Sequence, residues 1–214
     1  MTTLLLVRHG HTDVAGRRLT GWQPGVHLNA RGREEAERLV ERLDGVPVDA
    51  IVTSPLERAR ETAAPLARAR RLRPVTERGL IEVDYGEWTG RSIAQLRRTR
   101  LWRNVIRAPS TFRFPGGESL LEVQTRAVDA AVAIAAAHPS GTVVAFSHAD
   151  PIRLLVAHLS GMHADHLQRL VIDTASVTAI ALGQDVPRIV KVNDTGDLSA
   201  LVPPRPRPRR KVGG

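Results

Sequence analysis

The sequence predicts an α/β fold, a single three-layer domain in which a mainly parallel sheet lies between helices on both faces. Short apolar stretches alternate with helical patterns along the chain, as in βαβ units. The length of 214 residues is that of about one domain. A content of 42% hydrophobic and 25% charged residues is typical of a globular protein.

The first half of the chain predicts two strand–helix units. The uncharged run at residues 4–7 is expected to be a buried parallel strand. Asn29 is the expected N-cap of the helix that follows, which should end near Leu43. Residues 50–53 form the next expected strand. Pro55 should then lie at an early position of the second helix, where proline costs no hydrogen bond.

The second half contains the least regular segment, residues 77–117. It combines an acidic loop with short arginine-rich helices, and we expect it to be a small helical lid insertion over the strand ends. The other expected elements are a short strand near residues 74–76, a helix at 119–137, a strand at 142–146, a helix from Pro151 to about Leu159, and strands near 176–182 and 188–192.

The domain is expected to span residues 1–200 and to be followed by a flexible tail at 201–214. Alternating proline and arginine in that tail favour an extended, solvated segment. The first apolar run is too short for a signal peptide, so we expect a cytoplasmic protein without membrane contact. The chain has no cysteine, which excludes disulfides, thiolate nucleophiles and cysteine-bound metals.

The net charge of +9 is concentrated in two segments. Five basic residues lie in the tail, and seven arginines lie between residues 91 and 113 without an acidic residue. Without these twelve charges the net charge of the chain would be −3. This distribution does not suit a general polyanion-binding face. Since only 3% of the residues are aromatic, a surface for stacking nucleic-acid bases is also not expected.

Three of the predicted strands lead into residues that suit an anion. Arg8 and His9 follow the first strand, Arg58 lies in the helix after the second, and His148 follows the strand at 142–146. The carboxyl ends of parallel strands form the crevice in which ligands bind. Because the planar guanidinium of arginine matches two phosphate oxygens, a phosphoryl group is the expected ligand.

Four sequence motifs follow one another along the chain, and their order is as informative as their residues. They are LLVRHGHT around His9, TSPLERARETA around Arg58, LIEVDYGEWTGRS around Glu82 and AFSHADPIR around His148. A fifth stretch, at residues 116–119, precedes the long predicted helix. In this order the motifs resemble those of the histidine phosphatase superfamily, also called the phosphoglycerate-mutase-like family. The resemblance extends over about residues 4–192.

The resemblance implies a reaction as well as a fold. His9 would attack phosphorus and become phosphohistidine, Glu82 would protonate the leaving group, and the remaining residues would stabilise charge on the phosphoryl oxygens. It implies no metal and no other cofactor. The implied catalytic residues are His9, Glu82, Arg8, Arg58 and His148, and the implied substrate-binding residues are Arg8, Arg58, His148, Thr20, Gly21 and Ala149.

Departures from the family pattern favour its phosphatase branch. Ala15 stands where the mutase branch has asparagine, and the loop at residues 21–26 lacks the acid common there. Ala149 replaces the usual glycine after His148, which we expect activity to tolerate. The expected function is hydrolysis of a small phosphorylated metabolite. A phosphoglycerate-mutase-type phosphomutase and an inactive module that binds phosphorylated ligands are the alternatives, and a homodimer stays open.

Some roles have more than one candidate. Asp84 and Glu87 lie close to Glu82 in sequence and could replace it as the general acid. The arginines of the predicted lid could select a substrate with extra negative charge or could form a solvated helix face. These arginines are Arg97, Arg98, Arg100, Arg103, Arg107 and Arg113.

Two further groups of residues suggest other kinds of site, a metal site and a hydrolase triad. His163 and His166 have a spacing that could ligate a metal, with Asp165 nearby, but two histidines are a weak signature. A hydrolase triad of Ser147, His148 and Asp150 conflicts with strand geometry, because adjacent residues point to opposite faces.

Overall fold

The computed structural model describes residues 1–183 and 186–196. The strands are β1 (Thr2–Arg8), β2 (Ala50–Thr53), β3 (Val75–Thr76), β4 (Thr142–Ser147), β5 (Val177–Leu182) and β6 (Arg188–Asp194). The helices are α1 (Ala30–Arg42), α2 (Glu57–Arg70), α3 (Ile93–Leu96), α4 (Arg100–Arg107), α5 (Leu120–Ala137) and α6 (Ala149–Leu159). Short 3-10 helices lie at Arg78–Leu80, Gly86–Trp88, Pro109–Thr111 and Ala164–Arg169.

The six described strands form one sheet in the order β3–β2–β4–β1–β5–β6. The pairings β3–β2, β2–β4 and β4–β1 are parallel, whereas β5 and β6 are added antiparallel at the other edge. The prediction of an α/β fold with a mainly parallel sheet is therefore confirmed. Since β2, β4 and β1 are neighbours, the three strand ends with anion-binding residues lie side by side.

Helices cover both faces of this sheet, and the side chains of β1 point alternately to one face and to the other. Leu4 and Leu6 point into a core shared with α5 and α6. Leu5 and Val7 point to the opposite face, into a core shared with α1 and α2. Both cores are buried, which explains why this strand is apolar at consecutive positions. The arrangement confirms the predicted three layers.

Most predicted boundaries hold to within a few residues, and two helix starts differ. Asn29 caps α1 as predicted, its side chain accepting a hydrogen bond from the Gly32 amide. Pro55 lies outside α2, because Leu56 is the N-cap. Helix α6 begins at Ala149 with His148 as its N-cap, two residues before the predicted start at Pro151. This earlier start places the first turn of α6 directly beside His148.

The segment at residues 77–117 contains short helices held by an aromatic cluster. Phe112 and Phe114 are buried and meet edge to face with ring centroids 5.0 Å apart. Trp88 contacts both rings and stacks on Trp102, so these aromatic residues pack against one another. That the segment acts as a lid stays a prediction. The predicted tail at 201–214 lies outside the described residues.

No helix in the described ranges is long and apolar enough to span a membrane.

Candidate active site

His9 follows the last residue of β1 and is 6% exposed. Its backbone amide continues the β1–β4 pairing by donating to the Ser147 carbonyl. Its side-chain Nδ1 lies 2.8 Å from the Gly10 carbonyl oxygen, which can only accept, so Nδ1 carries the proton. Burial, with Arg58 and Arg8 nearby, holds the pKa of His9 well below 6.5. The ring is therefore neutral near pH 7, with a lone pair on Nε2.

The glycine after His9 is required by close packing. A Cβ at Gly10 would lie 2.6 Å from the carbonyl oxygen of Gly32 in the first turn of α1. The Gly10 amide donates to the hydroxyl of Thr62 in α2 at 2.9 Å. A residue without Cβ is therefore required here by contact with a neighbouring helix. The loop that begins at His9 is thus held between α1 and α2.

Arg58 in α2 is 1% exposed. Its Nη2 donates to the Gly21 carbonyl at 2.8 Å. Gly21 has φ of +46°, and a Cβ there would lie 2.8 Å from the Val83 carbonyl oxygen, so this position needs glycine. Among the residues described, neither Nε nor Nη1 of Arg58 has a hydrogen-bond partner.

Arg8 and His148 approach His9 from two sides. Arg8 donates from Nη1 to the Ile172 carbonyl at 2.6 Å. The rings of His148 and His9 lie with centroids 5.1 Å apart, and His148 Nε2 lies 2.8 Å from the Ser54 hydroxyl oxygen. Burial, followed by Arg58, lowers the pKa of His148 well below 6.5. Arg8 Nε and His148 Nδ1 are buried without a partner in the described part of the chain.

These side chains thus present several buried nitrogen atoms that no described protein group satisfies: Arg8 Nε, Arg58 Nε, Arg58 Nη1 and His148 Nδ1. An unmet buried donor costs about 1–3 kcal/mol, and more when it is charged. Burial also lowers the pKa of both arginines. An anion at this place would satisfy the donors and offset the clustering of positive charge.

Glu82 is the buried carboxyl of the acidic loop. It is 8% exposed, and Oε1 accepts from the Val83 amide at 3.0 Å. Burial and the charge of Asp150 raise its pKa to about 7, against the opposing effect of Arg58. The two alternative acids differ: Asp84 accepts from the Gly86 amide within its own turn, and Glu87 is exposed. Glu82 is therefore the candidate acid that can carry a proton near neutral pH.

Two residues that the sequence analysis did not single out hold the backbone of the acid loop. Arg126 in α5 donates to the carbonyls of Ile81 at 2.7 Å and Glu82 at 2.9 Å. The same guanidinium pairs with Glu118 at 2.8 Å. The indole Nε1 of Trp22 also donates to the Glu82 carbonyl, at 2.6 Å. No motif identifies either role, because both arise from contacts between segments distant in sequence.

The three additional predicted substrate-binding residues lie at the edges of this cluster. Gly21 contacts Arg58 as described, and Ala149 is the first residue of α6, next to His148. Thr20 lines a cavity of about 540 Å³ together with Thr12, Asp13, Arg18 and Gln23.

The alternative triad is not assembled. The Ser147 hydroxyl donates to the Leu80 carbonyl at 2.7 Å, and His148 contacts Ser54 instead. Asp150 accepts from the Tyr85 hydroxyl at 2.9 Å and pairs with Arg153 at 3.2 Å.

The alternative metal site has a simpler explanation in the fold. His163 is the N-cap of a 3-10 helix, and its Nδ1 accepts from the Asp165 amide at 3.3 Å. Asp165 in turn accepts from the Ser110 amide. Across the described ranges, no group of three or more histidine, aspartate or glutamate residues is arranged to hold a metal ion.

Known proteins resemble this chain in sequence and in fold. A family model described as "Histidine phosphatase superfamily (branch 1)" matches residues 4–195. The chain belongs to the histidine phosphatase superfamily. Phosphoserine phosphatase 1 of Hydrogenobacter thermophilus is 31% identical over 205 residues, which are 91% of this chain and 93% of that protein. The Bifunctional protein Rv2228c of Mycobacterium tuberculosis is 34% identical over 203 residues, which are 92% of this chain and 55% of that protein.

Solved structures of the superfamily share the fold. Bacillus stearothermophilus YhfR matches with a TM-score of 0.84 at 32% identity, over 91% of this chain and 98% of that one. The mycobacterial glucosyl-3-phosphoglycerate phosphatase Rv2419c, solved with VO3, matches with a TM-score of 0.81 at 28% identity, over 90% and 98%. The recognised family is thus confirmed, and the chain is an enzyme of the phosphatase and phosphomutase type.

Proposed function

We propose that this chain hydrolyses a small phosphate monoester through a phosphohistidine on His9, with Glu82 as the general acid. The observation that carries the proposal is the set of unpartnered donors on Arg8, Arg58 and His148, buried around a neutral imidazole. Superfamily relatives named as phosphatases support hydrolysis as the outcome.

The first step forms a bond between His9 Nε2 and phosphorus and breaks the bond from phosphorus to the ester oxygen. A hydrogen bond from Nδ1–H to the Gly10 carbonyl keeps the lone pair on Nε2 and stabilises the positive charge that develops on the ring. Arg8, Arg58 and His148 would donate to the equatorial oxygens of the transferring group. Protein groups thus provide the electrostatic stabilisation on which phosphoryl transfer depends.

The Glu82 carboxyl would protonate the departing alkoxide, giving the free alcohol. The resulting carboxylate would then accept a proton from water as the water oxygen attacks phosphorus. That second step breaks the bond to Nε2, releases inorganic phosphate and restores both residues. A pKa of about 7 suits Glu82 to both directions of proton transfer near neutral pH.

Replacing the nucleophile tests the proposal. His9→Ala should reduce phosphate release from a panel of phosphate monoesters by at least roughly 10³-fold, because the covalent route is removed. His158→Ala, an exposed histidine in α6, is the matched control and should keep full activity. The wild-type enzyme should also form an acid-labile phosphoenzyme and should retain its rate in a chelator.

Hydrolysis by His9→Ala at the wild-type rate would refute the assignment of the nucleophile. A rearranged phosphate ester with no free phosphate would instead identify a phosphomutase.

A further inference from the structure

Ser54 links the ends of two strands at the candidate active site. It follows β2 directly and is fully buried. Its Oγ lies 2.8 Å from Nε2 of His148, which follows β4 and is also fully buried. Ser54 belongs to the motif around Arg58, and the resemblance implies no role for it. The contact gives its hydroxyl a chemical neighbour at the centre of the site.

The surroundings of the Ser54 hydroxyl leave its hydrogen free to donate in this hydrogen bond. The amide of Leu56 donates to Ser54 Oγ at 3.4 Å, so the oxygen already acts as an acceptor. The hydroxyl hydrogen is then available to His148 Nε2. A neutral imidazole carries one N–H group, and an Nε2 that accepts leaves the proton on Nδ1. The lowered pKa of His148 is consistent with a neutral ring.

The other nitrogen of His148 requires this same tautomer. Within residues 1–183 and 186–196, the buried Nδ1 has no hydrogen-bond partner. His148 lies beside His9 and is close enough to Arg58 for that charge to lower its pKa. A lone pair on Nδ1 would repel an anion bound among these groups, whereas an N–H group would donate to it.

We propose that Ser54 is a positioning residue whose hydroxyl fixes the Nδ1–H tautomer of His148, so that this ring donates to the phosphoryl group during transfer. The idea rests on the proposed function for the identity of the anion. Ser54 itself neither contacts the substrate nor exchanges a proton with it. Before substrate binds, its hydroxyl disfavours the Nε2–H tautomer of His148, whose lone pair on Nδ1 would repel the bound anion.

Nitrogen-15 NMR of the imidazole rings tests the tautomer directly. In the ligand-free wild-type enzyme at pH 7.5, His148 should show the shifts of a protonated Nδ1 and an unprotonated Nε2. In Ser54→Ala the same ring should show both tautomers or the reverse one. A wild-type ring protonated at Nε2, or an unchanged ring in Ser54→Ala, would overturn the proposal. This readout needs no turnover, so failure of the proposed function would be seen separately.

Steady-state kinetics of two serine variants distinguishes a positioning role of Ser54 from a general effect on stability. Ser147→Ala also removes a buried hydroxyl at a strand end, but that hydroxyl donates to the Leu80 carbonyl and not to His148. We expect Ser54→Ala to lower kcat for an alkyl phosphate roughly 10- to 100-fold, as the loss of a supporting residue commonly does. Ser147→Ala should keep kcat within a few-fold of the wild-type value. Equal losses of kcat in the two variants would contradict a specific role for Ser54.

Discussion

Burial shifts the ionisable residues of this site in opposite directions, and both shifts favour the neutral form. For His9 and His148, removal from water lowers the pKa, so both rings stay neutral near pH 7. For Glu82, the same removal from water raises the pKa to about 7. The first step of the proposed mechanism requires a neutral His9 and a protonated Glu82. The buried site therefore prepares both of them before a substrate arrives.

The pH dependence of the rate follows from these shifts. In the proposed mechanism Glu82 donates its proton, so kcat/KM for an alkyl phosphate should fall as the pH rises above about 7, approaching tenfold per pH unit. His9 should stay neutral well below pH 6.5, which keeps the enzyme active on the acid side. The measurement is a pH–rate profile of the wild-type enzyme and of Glu82→Gln.

Glu82→Gln should lose the alkaline limb and about 10²–10⁴-fold in rate with an alkyl phosphate. Its loss should be smaller with p-nitrophenyl phosphate, whose leaving group needs less protonation. Glu87→Gln, an exposed carboxyl in the same loop, should leave the profile unchanged. Persistence of the alkaline limb in Glu82→Gln would assign it to another group.

At the scale of single elements, α5 serves both the core and the site. One side of this helix packs against the sheet, and Ser119 with Glu122 forms a capping box at its start. Arg126 projects from the same helix and donates to backbone carbonyls that lead into Glu82. The position of the acid is thus set by a helix that carries no motif residue of the proposed mechanism.

Removing this support should affect stability and catalysis together. Arg126→Ala removes the donor that Glu118 shares with three backbone carbonyls, of which, among the described residues, only that of Glu82 keeps a second donor, the Trp22 indole. We therefore expect a loss of about 2–4 kcal/mol in the free energy of unfolding. It should also lower kcat, since Glu82 would lose its fixed place. Urea denaturation and steady-state kinetics measure the two effects.

A control arginine and a conservative change sharpen this test. Arg38→Ala removes an exposed arginine whose distance to Glu34 is 4.0 Å, and it should cost less than about 0.5 kcal/mol. Arg126→Lys keeps the charge but lacks the planar, forked set of donors of a guanidinium. Its loss in the free energy of unfolding should therefore be intermediate. Wild-type stability and kcat in Arg126→Ala would show that the acid loop needs no such support.

The sequence predicted elements more completely than it predicted contacts between them. Alternating apolar runs and the N-cap Asn29 place the strands and α1, because these signals are local. The four motifs brought Arg8, His9, Arg58 and His148 to one crevice, which the order β2–β4–β1 then assembles. Arg126 and Trp22 could not be predicted, since their partners are backbone carbonyls far along the chain.

At the scale of the whole molecule, the sheet concentrates positive charge at one place between two apolar cores. Each core lies on one face of the sheet, and the neighbouring ends of β1, β2 and β4 lead into the site. Arg58 is buried there and Arg8 is half-buried, and each lowers the pKa of His9. A bound anion would offset this clustering of positive charge, which would couple ligand binding to the stability of the entire domain.

This coupling predicts stabilisation by inorganic phosphate. At 100 times its Kd, phosphate should add about 2.7 kcal/mol to the free energy of unfolding. For a domain of this size the melting temperature should rise by roughly 5–10 °C, measured by calorimetry at constant ionic strength. Arg58→Ala should lose this response, whereas Arg60→Ala, an exposed neighbour in α2, should keep it. A rise in Arg58→Ala equal to that of the wild type would exclude Arg58 from the anion site.

The hydrogen bond from Trp22 to the Glu82 carbonyl also gives the enzyme an intrinsic optical label. The chain has three tryptophans, of which Trp88 and Trp102 stack together in the aromatic cluster. Trp22 is 37% exposed and touches the backbone of the candidate acid. Replacing Trp88 and Trp102 by phenylalanine would leave one fluorophore, placed where it can report each rearrangement of the acid loop in real time during a single turnover.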